Sequence, residues 1–180
     1  PARRRAVELM QRIVYSISRT INEVNSLYQD QWNNLEPAAR ENVQAIGQLA
    51  EAASMEIYFA SGAFAEREQG SNGRILSLSE KQRFLSEMGP VFEELAKLGI
   101  TGVTHHIIET LEALIPADPA SVFLRIGQVV SAGQKGAYQL ESLANDHIVH
   151  IVERYLAEYR YVLREQEECQ RILLEILDIF

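Results

Sequence analysis

A single cysteine, Cys169, excludes an intramolecular disulfide and with it the stapled architecture of small secreted domains. It falls on a helical apolar stripe, which reads as a structural thiol in a reducing compartment, the cytoplasm by default. No histidine or helix terminus near it in sequence supplies the activation a nucleophilic thiol needs. Proline and glycine are also sparse, 5 and 10 in 180 residues, and they cluster in a few places. That excludes a fold of many short strands joined by tight turns and leaves long helices.

Long apolar runs are missing too. Nothing approaches the roughly twenty residues that span a bilayer, so no membrane partner is expected. The N-terminus carries arginines and then an amphipathic pattern rather than a compact apolar segment, so it is no secretory signal. Glu8 and Glu23 argue against a transit peptide. Basic charge is in deficit as well: 17 Lys and Arg against 25 Asp and Glu leave a net charge of −8. A polyanion would meet an opposing overall field. The one basic cluster, Arg3-Arg4-Arg5, reads as the solvated start of a helix.

Catalytic signatures are absent: no G-x-S-x-G elbow and no phosphate-loop spacing among Gly127, Gly133, Lys135 and Gly136. No repeat of 30 to 50 residues carries consensus positions, so tetratricopeptide, ankyrin and leucine-rich arrays are excluded.

What the chain does have is a stripe of apolar residues stepping by three and four. It runs through Val7, Met10, Val14, Ile17, Ile21 and Val24, again through Ile46, Ala50, Ala53, Ile57 and Ala60, and a third time through Ile148, Val152, Tyr155, Tyr159 and Val162. This is the signature of long amphipathic helices that bury one face. The spacing predicts a first helix from about Ala2 to Gln31, broken by Asn33, Asn34 and Glu36-Pro37, and a second reaching about Arg67.

Residues 1–67 then form a long antiparallel helical hairpin, 68–78 a flexible loop, and 79–180 a multi-helix bundle or short α-solenoid packed on the hairpin as one structural unit. Within the bundle, Ser79 with Gln82 predicts a capping box, Gly89-Pro90 a break or kink, and Thr101 a helix cap. Asp118-Pro119 predicts a helix start, and Asp146 the cap of a last long helix running from His147 to at least Arg164, with Phe180 as its far limit and a break left open in the polar Leu163–Glu168 stretch. A chain that starts at Pro1 and stops on Ile176, Leu177, Ile179 and Phe180 reads as a piece of a longer protein.

Histidines occur in two pairs. His147 and His150 are followed by Glu153, and His105 and His106 by Glu109. Helical spacing places His147, His150 and Glu153 on one side, and His105 and Glu109 on one side, in two half-sites whose donors suit zinc or iron. Without H-E-x-x-H, a repeated E-x-x-H or a cysteine pair, the sequence supports neither a metal nor any other cofactor.

The last helix also carries Arg154, Arg160, Tyr161 and Arg164, residue types that enrich protein interfaces and stack on bases, while Trp32 at the hairpin tip is the best exposed anchor. The sequence therefore reads as a non-enzymatic protein–protein interaction or assembly scaffold whose partner is another protein, the rest of its own chain or a second copy. The alternatives are a helical nucleic-acid-binding module and a His/Glu metal-dependent enzyme.

Overall fold

The computed structural model describes residues 2–28, 36–68, 73–98, 100–135 and 145–178. Among them it holds nine helices and no strand: α1 (Ala2–Tyr28), α2 (Pro37–Ala60), α3 (Ala63–Arg67), α4 (Leu78–Ala96), α5 (Thr101–Leu114), α6 (Pro119–Lys135), α7 (Asn145–Glu158), α8 (Arg160–Glu165) and α9 (Glu167–Leu177). The fold is all-α, as the three-and-four spacing implies. Trp32 and the Asn33–Asn34 break lie outside the described residues, as do residues 69–72 of the 68–78 loop. Among the described residues no helix is long and apolar enough to cross a membrane.

The packing follows from which helices are apolar on one face and which all round. Val14, Ile17 and Ile21 put one stripe of α1 into the core, and α1 packs on α2 and α4. Helix α5 is different. It touches α2, α3, α4, α6 and α7, and Val103, Ile107, Ile108, Leu111 and Leu114 are all buried around it. A helix apolar on most of its circumference belongs at the centre of a bundle. A charged residue on the inner side of α5 is therefore held in the interior, and Glu109 is one.

Several helix boundaries differ from the local signals, each for a physical reason. The capping box of α4 is Ser77 with Glu80, not Ser79 with Gln82. The Ser77 amide donates to Glu80 Oε2 at 2.9 Å and the Glu80 amide to Ser77 Oγ at 3.4 Å. The Glu80 carboxylate is a stronger acceptor for the cap amide than a glutamine amide, and these bonds hold it below the usual carboxylate range. Gln82 instead donates to the Ala117 carbonyl at 3.5 Å. Helix α4 also continues unbroken through Gly89-Pro90. Pro90 and Ser86 lie on the exposed face, where the carbonyl that loses its amide partner meets solvent, while Met88, Val91 and Phe92 pin both halves to the core. Thr101 is the first residue of α5 rather than its cap, which is Ile100, and α7 already includes Asn145 and Asp146.

The second predicted helix ends at Ala60 and resumes as α3. Gly62 between them has φ +82°, and a Cβ there would come within 2.9 Å of the Arg74 carbonyl oxygen, so the corner requires glycine. Ser61 secures the corner, donating its hydroxyl to the Tyr58 carbonyl at 2.7 Å and accepting from the Ala63 amide at 3.2 Å. The last long helix is three pieces, interrupted at Tyr159 and Gln166. The turns return the chain so that Cys169, Ile172 and Ile176 face α6. The approach is close: a Cβ on Gly127 would lie 2.6 Å from Ile172 Cδ1. Cys169 is fully buried there, and burial raises its thiol pKa, as a structural thiol requires.

Candidate functional site

The charged interior of the bundle centres on Glu109. Its side chain is only 5% exposed, and three cationic or imidazole groups from three helices converge on it. His105, one turn earlier on α5, places Nε2 3.5 Å from Glu109 Oε2. His147, in the first turn of α7, places Nε2 3.4 Å from Glu109 Oε1. Arg67, the last residue of α3, contacts the same Oε1 through its guanidinium. On the far side of the imidazole, His147 Nδ1 lies 3.1 Å from Glu112 Oε2. A central apolar helix thus carries one buried carboxylate whose charge is compensated from its neighbours, the only economical way to keep such a group inside.

The two expected half-sites are redistributed. His105 and Glu109 share a face as the i, i+4 spacing requires, but His147 joins them and leaves His150 and Glu153 behind. Those two remain near each other, His150 Nδ1 3.6 Å from Glu153 Oε2, on the outer face of α7 with side chains 69% and 68% exposed. Ile148, Ile151 and Tyr155 decide this by rotating their own side of α7 inward. Arg67 and Glu112 complete the cluster. Glu112 was within reach of sequence reasoning, one turn beyond Glu109 on the same helix, whereas Arg67 had no local signal.

His106 flanks the cluster without joining it. Its Nδ1 lies 3.1 Å from Ser54 Oγ, and its ring stacks on Tyr58 at 5.8 Å. Burial and, to a lesser degree, the adjoining His105 lower its pKa, with Glu51 opposing. The folded state therefore takes up its proton at lower pH than the unfolded chain. Stability attributable to His106 is complete above the ordinary histidine pKa and declines as pH falls from there toward the depressed folded value. Melting temperature should fall between pH 7.5 and 5.5, and His106→Asn should make that slope shallower. An unchanged slope in the variant would assign the acid sensitivity elsewhere.

The residues picked out as interaction candidates divide. Tyr161 is 52% exposed, while Tyr155 is fully buried and Tyr159 partly so. Arg160 and Arg164 are exposed, and Arg160 Nε donates to the Leu156 carbonyl at 3.1 Å. Arg154 is committed within the fold, bonded to Glu158 Oε2 at 3.2 Å and lying over the Tyr159 ring at 5.9 Å. Over residues 145–178 four arginines stand against eight carboxylates, so this face has no net positive field.

A second feature lies between α1, α2 and α4. Val7 and Met10 of α1, Ile57, Phe59 and Ala60 of α2, Leu76, and Phe84 and Met88 of α4 line an open cleft of roughly 520 Å³. Its charged residues are Glu56, Glu80 and Glu87 against Arg74, and Arg74 contacts Glu80. Phe59 remains 49% exposed on its wall. Comparison with protein-family models, curated proteins and solved structures finds no match for the chain.

Proposed function

We propose that this chain is a non-enzymatic docking domain whose α1–α2–α4 cleft receives an amphipathic helix with an apolar face and a basic flank. The apolar lining of the cleft carries the reading: aliphatic and aromatic side chains from three helices meet around a volume that admits several side chains of a partner. Three carboxylates against one guanidinium at its edge, and a chain charge of −8, favour a basic partner over an acidic one. The balance of charge around Arg154, Arg160 and Arg164 favours a protein over a nucleic acid on that face.

The test uses two synthetic helical peptides with leucines along one face and either lysines or glutamates along the other, read by fluorescence anisotropy. The lysine peptide should bind, the glutamate peptide should not, and Phe59→Asp should weaken binding about tenfold while leaving the circular dichroism unchanged. Equal binding of both peptides, or an unchanged affinity in Phe59→Asp, would remove the cleft as the docking site.

A further inference from the structure

We infer that His105, Glu109 and His147 form a binding site for a divalent transition metal, with zinc the best match, that ties α7 to the central helix α5. One ligand atom from each residue lies within 4.8 Å of the others. Zinc bonds of about 2.0–2.1 Å place neighbouring tetrahedral ligand atoms about 3.3 Å apart. His147 Nε2 stands 3.4 Å from Glu109 Oε1 and His105 Nε2 3.5 Å from Glu109 Oε2, so each imidazole lies near that separation from one oxygen of the carboxylate. Two imidazoles and a carboxylate are a borderline donor set that suits zinc and discriminates against calcium and magnesium.

Two further features fit. Glu112 lies against Nδ1 of His147, the nitrogen facing away from the Glu109 carboxylate, in the carboxylate–histidine arrangement that orients a ligating imidazole. The site also has a graded exposure: Glu109 is 5%, His147 20% and His105 36% exposed, so a metal entering past His105 keeps one position open to solvent. Arg67 is the internal competitor. Its guanidinium contacts the Glu109 oxygen nearest His147, yet its side chain is 53% exposed and can turn outward when a dication replaces it. The site thus exchanges a half-exposed cation for a chelated one on a carboxylate that needs a counter-charge in either state.

Zinc titration of the whole chain, by competition with a chromogenic chelator at pH 7.5, tests this. One equivalent should bind, His147→Ala and Glu109→Gln should each weaken binding at least about 100-fold, and Glu112→Gln about 10-fold or more. Arg67→Ala should tighten binding a few-fold, the scale of a half-exposed ion pair, and His150→Ala should change nothing. Cobalt substitution should give the intense visible bands of a four-coordinate ion. Since Glu109→Gln disturbs a buried group, His105→Ala serves as the partly exposed second ligand variant, with circular dichroism to confirm folding. Binding lost with His150→Ala, or equal in wild type and His147→Ala, would overturn the assignment. Neither result bears on the α1–α2–α4 cleft, whose peptide affinity is read separately.

Discussion

Phe123→Ala should lower the stability of the chain by about 3–5 kcal/mol, the range for emptying a fully buried aromatic site. At this chain length that corresponds to a fall in melting temperature of about 6–20 °C. Phe123 has no exposed surface, and its ring centroid lies 4.5 Å from that of Tyr155, which is equally buried. The Tyr155 ring continues to Tyr159 at 5.5 Å, and its hydroxyl donates to the Pro119 carbonyl at 2.6 Å. The loss therefore falls on the joint between α6 and α7 and combines a cavity with a broken aromatic pair. Repacking is limited, because the Tyr155 hydroxyl is anchored at the first residue of α6, and burial drives its pKa upward so it remains a neutral donor. Tyr161→Ala, at a half-exposed ring on α8, should stay within about 0.5 kcal/mol. Chemical denaturation of both variants checks the contrast. A loss below about 1 kcal/mol for Phe123→Ala would mean that α6 and α7 are not locked together as described.

The helices were legible because an apolar stripe is a local property. The long α1, with Val14, Ile17 and Ile21 inward, follows from spacing alone, and so does the start of α6, where Asp118 Oδ1 accepts from the Ser121 amide at 3.1 Å. The interruptions were legible only in part, because they answer to distant parts of the chain. Ser61-Gly62 bends against the backbone at Arg74 and Leu76, and Gln166 breaks a helix so that Ile172 can approach Gly127. The polar Leu163–Glu168 stretch leaves a break open where Gln166 makes one, whereas nothing local marks the interruptions at Ser61-Gly62 and Tyr159.

The charged cluster divides in the same way. The His105–Glu109 pair is an i, i+4 relation and could be read directly. His147 lies beside Glu109 and Glu112 rather than beside the His150 and Glu153 that its spacing suggests, because periodicity places side chains on a helix but does not rotate that helix in the bundle. That rotation is set by Ile148, Ile151 and Tyr155, whose burial outweighs any pull from two exposed polar groups. Arg67 sits on a five-residue helix whose position depends wholly on tertiary contacts. Such a residue enters a site by packing and leaves no mark in sequence.

The placement of that short helix rests on a lysine, and Lys81→Met should cost about 2–4 kcal/mol. Lys81 occupies an inward position of α4 with its side chain only 10% exposed. Its ammonium lies 2.6 Å from Glu66 Oε1 on α3 and donates to the Ala113 carbonyl at 2.8 Å, in the last turn of α5. Carbonyls there have no helical amide to accept from and carry the negative end of the helix dipole, so a cation is well placed. Methionine preserves most of the apolar stem but leaves the Ala113 oxygen and the Glu66 carboxylate without their donor. Glu66 is 29% exposed and recovers part of its hydration, which keeps the loss below that of a fully buried broken pair. Adding Glu66→Gln to Lys81→Met should restore part of the stability, since the uncompensated charge goes while the Ala113 oxygen stays unmatched.

The effect should also be uneven. Phe64 still packs edge-on against Tyr58 at 6.2 Å, so α3 loosens rather than detaches. Hydrogen exchange of its amides should accelerate more than that of α5. Because Arg67 is the next residue after Glu66, the same variant should weaken the Arg67–Glu109 contact and so favour zinc at Glu109. A Lys81→Met chain with unchanged stability and unchanged exchange in α3 would show that the apolar contacts of Ala63, Phe64 and Ala65 suffice to seat the helix, and that the lysine merely occupies the space between three helices.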